Sequence, residues 1–393
     1  MAEIFNEVKN QAQVIPVESN IYPVVGMSDA NVVVTSDEIT ISFYEGEVPE
    51  FIELELERLY QSIYSTVARL RIYENSKNIT SYVALKGQNI ISAIIFRIEN
   101  NKAIVLNEQT YINVVEISRF SKAVFLRYKS VTYISYWGLM PTQGKIPFLF
   151  RRNYCLPEIV VTLPEKTDAY LTSLGKSTRR HVRSNLKKIT TTFPSFRAET
   201  SLKGGINAQD IYDIVNLNNE RMAVKEKVTY NSDEETQRLI RLANVYGLVL
   251  TLKINDRVCA GAVCYRVGST YFAHVLAHDP KFDDYKLGMV CCYLMISECI
   301  TRGGSEVRFG GSTHRYKFDF LGNLLYLDYL VVYKNIGHYI LHTASALPMS
   351  LEAYVRRSKL WLLLSDRRED IFSRVAARII SRVREFKRSG YAL

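Results

Sequence analysis

The sequence predicts an α+β protein with two domains in tandem, each a mixed, mainly antiparallel sheet flanked by helices, followed by a basic helical tail. The first observation is a run of apolar, β-branched segments over residues 246–277, interrupted only by short turns. The second is a change of period directly afterwards, where apolar residues recur every three or four positions, as on one face of a helix. The third is that the same order of elements occurs in weaker form before residue 140. A length of 393 residues exceeds one ordinary domain and suits two.

Three antiparallel strands are predicted in the central part of the chain. They span residues 246–254, 257–267 and 270–277. The first two are joined by Asn255-Asp256, a pair that tolerates positive φ in a hairpin turn. Two further strands are predicted to follow the long helix, one from residue 307 and one over 323–334.

The long helix is expected to start near Leu287-Gly288 and to end at Gly303-Gly304. A glycine at its start lets a ligand approach the backbone, where unpaired N–H groups and the helix dipole favour an anion such as a pyrophosphate. Ordinary helix capping is the alternative explanation. If the anion site is correct, Gly288→Val should weaken donor binding at least about tenfold and leave the fold intact.

The chain before residue 140 predicts the same order of elements in degenerate form. Its elements are strands at 39–44, 80–87, 89–98, 102–107 and 131–138, and helices at 49–70 and about 110–127. The alternative is an unrelated α+β domain. We place an irregular N-terminal arm at 1–30, a degenerate first domain at 31–150, a second domain at 151–338 and the basic tail at 339–393.

Short motifs around the long helix resemble those of a known family. The motif residues are Asp279-Pro280, Tyr285, Gly288, Phe309-Gly310-Gly311 and Tyr316-Lys317. They look like the C-terminal half of GNAT acyltransferases, specifically the CelD/BcsL-type branch related to the FemAB peptidyltransferases. The basic stretch 174–189 resembles the segment that opens the family domain, so the resemblance covers about residues 155–335. It implies two tandem GNAT-like domains, the first without these motifs.

The resemblance also implies a reaction, in which an amine attacks the thioester of an acyl-CoA co-substrate or an acyl-carrier protein directly. Residues expected to bind the donor are Tyr285, Lys286, Leu287, Gly288, Met289 and Lys317. Residues expected to act in catalysis are His274, Asp279 and Tyr316.

Each of these residues has a second explanation. His274 is either the general base or a core histidine bonded to a backbone carbonyl. Asp279 either binds the substrate ammonium or caps the turn before Pro280. Tyr316 could protonate the departing thiolate and Lys317 could hold a phosphate or carboxylate, or both could pack beneath the last strand.

Cysteine and histidine spacing gives no metal signature. The cysteines lack a C-x-x-C pattern and predict buried, reduced thiols. His274 and His278 are four apart on a predicted strand, which places them about 13 Å from each other, too far for a shared metal. We therefore expect no metal cofactor.

The net charge of +10 is concentrated in two places. Residues 351–393 hold eleven lysines and arginines against five acids, and the stretch 176–188 holds six without an acid. An anionic partner is implied. Residues 369–389 predict an amphipathic helix that either lies on an anionic membrane surface or packs on the second domain.

Three classes of function remain open. The first is an N-acyltransferase that acts on an amine acceptor, by analogy an amino sugar or amino acid of surface polysaccharide or lipid metabolism. The second is a FemAB-like transferase that uses aminoacyl-tRNA, the one case in which a nucleic acid partner is expected. The third is a non-catalytic binding protein with the GNAT fold. The N-terminus lacks the apolar core of a secretory signal and no apolar run reaches about 18 residues, so a cytoplasmic location is expected, with peripheral attachment to the inner face of the membrane as the alternative.

Overall fold

A computed structural model of the chain shows an α+β fold built on one large sheet. It describes residues 31–34, 39–73, 78–140, 142, 144–224, 232–343 and 350–358. The predicted N-terminal arm (1–30) and the predicted amphipathic helix of the tail (369–389) lie outside these ranges. No helix within them is long and apolar enough to cross a membrane.

The sheet has thirteen strands in the order β1-β2-β3-β4-β5-β6-β13-β7-β12-β11-β10-β9-β8. In chain order these are β1 (Asn31–Val34), β2 (Ile39–Glu45), β3 (Ile79–Lys86), β4 (Asn89–Glu99), β5 (Lys102–Val105), β6 (Tyr133–Leu139), β7 (Phe150–Thr162), β8 (Arg197–Leu202), β9 (Gly247–Ile254), β10 (Arg257–Val267), β11 (Thr270–His278), β12 (Glu306–Arg308) and β13 (Asn323–Tyr333). The predicted central strands and the two strands after the long helix are confirmed.

Helices cover both faces of this sheet. They are α1 (Glu50–Tyr60), α2 (Val67–Tyr73), α3 (Val114–Arg127), α4 (Thr167–Ser173), α5 (Lys176–Thr192), α6 (Ala208–Val224), α7 (Asp233–Tyr246), α8 (Leu287–Thr301), α9 (Arg315–Asp319) and α10 (Ile336–Leu341). Short 3-10 helices lie at Ile63–Ser65 and Pro280–Tyr285. The predicted start and end of the long helix, α8, are confirmed within two residues.

The two parts of the sheet repeat one arrangement. In the first half, β2 to β5 pair antiparallel, α3 follows, and β6 then pairs parallel to β5. In the second half, β8 to β11 pair antiparallel, α8 follows, and β12 pairs parallel to β11. Two helical segments connect the first and second strands of each half. The predicted repetition of one fold is therefore present in the structure.

The strands that follow each half are exchanged. β7 follows the first half but pairs with β12 of the second, and β13 follows the second half but pairs with β6 of the first. Ile159 and Val161 of β7 lie in the apolar core beneath α8, while Leu330 and Val332 of β13 lie in the core of the first half. One continuous sheet results, so the division into two domains near residue 150 stays a prediction.

The single helix predicted over 49–70 is wrong, because tertiary contacts break it after Tyr60. Gln61 adopts a left-handed conformation with φ +44°. Its side-chain oxygen accepts hydrogen bonds from the N–H and hydroxyl of Ser269, at 3.1 and 2.9 Å. Ser62 donates to the carbonyls of Glu108 and Gln109. The bonds of Gln61 tie the first half to the β10–β11 turn, and those of Ser62 tie the break to residues 108–109 of the first half.

Candidate active site

Strands β11 and β12 pair over only three residues each and then part. The paired residues are Thr270, Tyr271 and Phe272 on β11 and Glu306, Val307 and Arg308 on β12. β11 continues to His278, whereas the N–H of Phe309 donates to the carbonyl of Ile159 on β7 at 2.8 Å. A wedge therefore opens between residues 273–278 and 309–312, and we call it the cleft.

His274 lies on a β-bulge at the point where the cleft opens. Ala273 is opposite Cys264 and Val275 is opposite Val263, so His274 is the extra residue on β11. A bulge leaves backbone groups of the extra residue unpaired and redirects its side chain, and bulges are enriched next to active sites. The bulge therefore brings an imidazole and freed backbone groups to the opening of the cleft.

The side chain of His274 faces a crevice on the side of the sheet covered by α6 and α7. The crevice measures about 50 Å³ and is lined by Ile63, Tyr64, Arg69, Tyr73, Leu242, Tyr265, Phe272 and His274. The side chain of His274 remains in contact with solvent. The surrounding protein nevertheless displaces bulk water, and this desolvation lowers the pKa of His274 below 6.5, whereas the negative charge of Glu235 opposes the shift. A neutral imidazole at pH 7 can accept a proton. His274 is thus not enclosed in an apolar core.

Asp279 is placed in the turn-capping position. Its carboxylate is buried and accepts a hydrogen bond from the N–H of Lys281 at 3.0 Å. Arg257 pairs with the other carboxylate oxygen at 3.3 Å. Both oxygens of Asp279 therefore have protein partners, and the structure favours capping over ammonium binding.

The start of α8 has the backbone shape expected of an anion site. Lys286 is left-handed, with φ and ψ both +45°, directly after the 3-10 residue Tyr285. The N–H groups of Lys286 and Met289 already donate to the carbonyls of Asp283 and Lys286, both at 2.9 Å, so the candidates for binding an anion are the N–H groups of Leu287 and Gly288 at the start of the helix. Leu287 is fully buried, while Met289 is partly exposed beside the turn.

Gly288 lies against the side chain of His278, so the space beside its Cα is taken by protein and not by the predicted ligand. A Cβ added there would lie 2.6 Å from Nδ1 and 2.9 Å from Cε1 of His278. The ring is held from the other side by Asp283, whose carboxylate lies 2.9 Å from Nε2. A larger residue at this position must displace the imidazole, so weaker donor binding by Gly288→Val would not by itself indicate an anion site.

A cation and an aromatic ring border this turn. The ammonium of Lys188 on α5 lies 4.6 Å from the ring centre of Tyr285 and donates to the carbonyl of Asp284 at 3.2 Å. This cation adds positive potential beside the helix start, which the carboxylates of Asp283 and Asp284 partly oppose.

Tyr316 and Lys317 lie on the opposite wall of the cleft. The Lys317 ammonium is buried and donates to the carbonyl of Phe309 and the hydroxyl of Ser312, both at 2.5 Å. Burial lowers its pKa to about 8. The ring of Tyr316 packs edge-on against Phe309, and burial raises the pKa of its phenol. Lys317 is therefore in the packing role, where it anchors the loop 309–312.

Two buried charged residues on this wall were not identified from the sequence. Glu158 on β7 accepts a hydrogen bond from the N–H of Gly310 at 2.8 Å, and burial raises the pKa of its carboxyl. Arg308 pairs with Glu306 at 2.7 Å and donates to the carbonyl of Gln109 at 3.3 Å. The available signal was a charged residue directly beside apolar strand residues, since Glu158 precedes residues 159–161 and Arg308 follows Val307.

The equivalent opening in the first half is filled by the chain itself. The N–H of Met140 donates to the carbonyl of Thr110 at 2.9 Å, so residues 106–113 cross the gap beside β6. A Cβ on Gly138 would lie 3.0 Å from the side chain of Gln109. A cleft of this kind is therefore open in the second half and closed in the first. Within the described ranges, no group of three or more metal-ligating side chains is arranged for a metal.

Comparisons with known proteins agree with this architecture. A model of the acetyltransferase (GNAT) domain matches residues 176–318, so this chain contains a GNAT domain, which spans α5 to α9 and includes the cleft. The crystal structure of FemX is similar to it, with a TM-score of 0.56 and 10% identity over 76% of this chain and 99% of FemX. At that identity the likeness shows the fold alone.

The structure of L-PGS from Bacillus licheniformis aligns with a TM-score of 0.45 and 12% identity, over 79% of this chain and 97% of that one. No curated protein sequence matches this chain.

Proposed function

We propose that the protein transfers an acyl group from a thioester donor, acyl-CoA or an acyl-carrier protein, to an amine acceptor. The observation that carries the proposal is the bulge at His274, which sets a neutral imidazole where β11 and β12 part. A donor in the cleft would place its thioester near this bulge, and an acceptor would approach from the crevice side.

In this proposal His274 removes a proton from the acceptor ammonium, and the free amine attacks the thioester carbonyl. Backbone N–H groups freed at the bulge are the candidates for stabilising the tetrahedral oxyanion. Tyr316, whose raised pKa keeps the phenol protonated, is the candidate for protonating the departing thiolate. Asp279 is expected to hold the turn rather than to touch substrate.

The donor's pyrophosphate is assigned to the turn formed by Tyr285, Lys286 and the first residues of α8. The left-handed Lys286 and the nearby ammonium of Lys188 support this placement. Lys317 contributes indirectly, by anchoring the loop 309–312 on the other wall.

An aminoacyl-tRNA donor is the second candidate, and one observation favours it. Basic residues are exposed along α5, namely Arg180, Arg183, Lys187 and Lys188, and Lys188 contacts the same turn. Such a row suits a phosphate backbone better than a single pyrophosphate. A non-catalytic binding role would follow if neither donor is used.

Mass spectrometry of ligands retained by the purified protein tests the donor. Retained CoA or acylated carrier protein supports the first proposal, and retained RNA supports the second. Transfer assays then compare the wild type with His274→Gln, and with His338→Gln on α10 as a matched control. Equal transfer by the wild type and His274→Gln would remove His274 from catalysis.

A cytoplasmic protein that binds reversibly to an anionic membrane surface is proposed from the charge of the tail alone. Flotation with anionic liposomes should be lost when the chain is truncated after Ser365. Equal flotation of the full chain and the truncation, or flotation of neither, would contradict it.

A further inference from the structure

The crevice beside His274 is built by both halves of the protein. Phe272, Tyr265 and Leu242 come from the second half, whereas Tyr64, Arg69 and other residues of Ile63–Tyr73 come from the first. The first half has closed its own cleft, yet it supplies one wall of the crevice that serves the second. The first half contributes one charged side chain to this wall, that of Arg69.

Arg69 is held between two aromatic rings. Its guanidinium carbon lies 4.8 Å from the ring centre of Tyr64 and 5.0 Å from that of Tyr73. Stacking of this kind fixes the plane of a guanidinium and leaves its N–H edge available. Within the described ranges Arg69 has no carboxylate partner, whereas Arg71 on the same helix pairs with Glu53 at 3.5 Å.

Glu235, the acid that acts electrostatically on His274, is already engaged. Glu235 accepts a hydrogen bond from the hydroxyl of Tyr73 at 2.9 Å and pairs with Arg238 at 3.5 Å. Both Arg69 and Glu235 act electrostatically on His274. The crevice thus presents a cation with a free edge and a separate acid around the imidazole.

The ligand chemistry follows from the shape and charge of this arrangement. The N–H edge of a guanidinium matches a carboxylate in a bidentate pair. The negative Glu235 beside the crevice disfavours a phosphoryl dianion more strongly than a singly charged carboxylate. The remainder of the ligand would extend out of the crevice toward the cleft.

We propose that the acceptor amine carries a carboxylate, as an α-amino acid does, and that Arg69 of the first half binds this carboxylate beside His274. The proposal rests on the proposed function for the identity of the ligand as an acceptor. The carboxylate site itself rests on the geometry of Arg69, Tyr64 and Tyr73.

Binding is tested without catalysis by following the His274 imidazole by nuclear magnetic resonance during titration with alanine and with alaninamide. Because the charge of Arg69 lowers the pKa of His274, a bound carboxylate should raise that pKa. Alanine should produce the rise, and alaninamide, which lacks the carboxylate, should bind at least about tenfold more weakly. Arg69→Met should abolish the difference between the two probes, and Arg71→Met should keep it.

Each outcome decides one of the two proposals. Equal binding of both probes to the wild type, or an unchanged difference in Arg69→Met, overturns the role of Arg69. A confirmed carboxylate site in a protein that transfers no acyl group to any amine leaves the site and removes the proposed function. Acyl transfer with equal KM for amino acids and their amides leaves the function and removes the site.

Discussion

The close contact between Gly288 and His278 predicts that Gly288→Ala destabilises the protein. The new methyl carbon would lie 2.6 Å from Nδ1, whereas ordinary contacts begin near 3.4 Å, so the ring must move by roughly 0.8 Å. Overpacking of this kind costs about 1–3 kcal/mol, and the better helix propensity of alanine returns about 0.5–1 kcal/mol. We expect a net loss of about 1–2 kcal/mol in the free energy of unfolding.

The cause is tested by a double-mutant cycle with His278→Ala. In that background no ring opposes the methyl group, so Gly288→Ala should be neutral or stabilise by about 0.5–1 kcal/mol. Urea unfolding followed by circular dichroism measures all four free energies. Gly337→Ala on α10 is the matched control, because its Cβ would meet only the side chain of Asn335, at 3.4 Å.

Two results would refute this reasoning. A neutral Gly288→Ala would mean that the imidazole moves at no cost, despite its bond to Asp283. An equal loss in both backgrounds would mean that His278 is not what opposes the methyl group.

Three further predictions concern His274, Lys317 and Gln61. His274→Gln should lower turnover about 100-fold or more and remove the acidic limb that we expect in the wild-type pH–rate profile, at a pH below the ordinary range of histidine because desolvation lowers the pKa of His274. Between pH 8 and 10.5 the free energy of unfolding of the wild type should rise by about 3 kcal/mol relative to that of Lys317→Met. In this range Lys317 has lost its proton in the folded protein but keeps it in the unfolded chain. Gln61→Ala should cost about 1–2 kcal/mol in urea unfolding, since it leaves the N–H of Ser269 without its acceptor.

Each of these has a contrary outcome. An unchanged acidic limb in His274→Gln would assign that limb to another group. A flat stability difference from pH 8 to 10.5 would show that Lys317 keeps an ordinary pKa in the fold. A Gln61→Ala variant as stable as the wild type would show that the β10–β11 turn holds without the first half.

The sequence predicts the second half well where local signals agree with the fold. Asn255-Asp256 both adopt positive φ, as a hairpin turn of this type requires, and α8 starts at Leu287 as its apolar period indicates. The prediction over 49–70 failed because the break at Gln61 is caused by Ser269, more than 200 residues later in the chain. Periodicity along one segment contains no information about such a partner.

The sequence proposes a position for the candidate site but not the contacts within it. His274 and the turn before α8 follow from local motifs, whereas the contact of Gly288 with His278 depends on how β11 meets the helix. Glu158 stands directly before the apolar residues 159–161 of β7, and only the exchange of this strand brings it to the N–H of Gly310. The role proposed for Arg69 depends on its position between the rings of Tyr64 and Tyr73, which no sequence motif indicates.

The exchange of β7 and β13 has a consequence for synthesis on the ribosome. β6 ends at Leu139, yet its neighbour β13 begins at Asn323, so the first half leaves the ribosome with an unpaired strand edge. That edge stays open until nearly all of the second half has been translated, and exposed edges promote pairing between chains. A nascent or prematurely terminated chain would therefore depend on chaperones, and separate expression of either half would leave an edge that only the other half can cover.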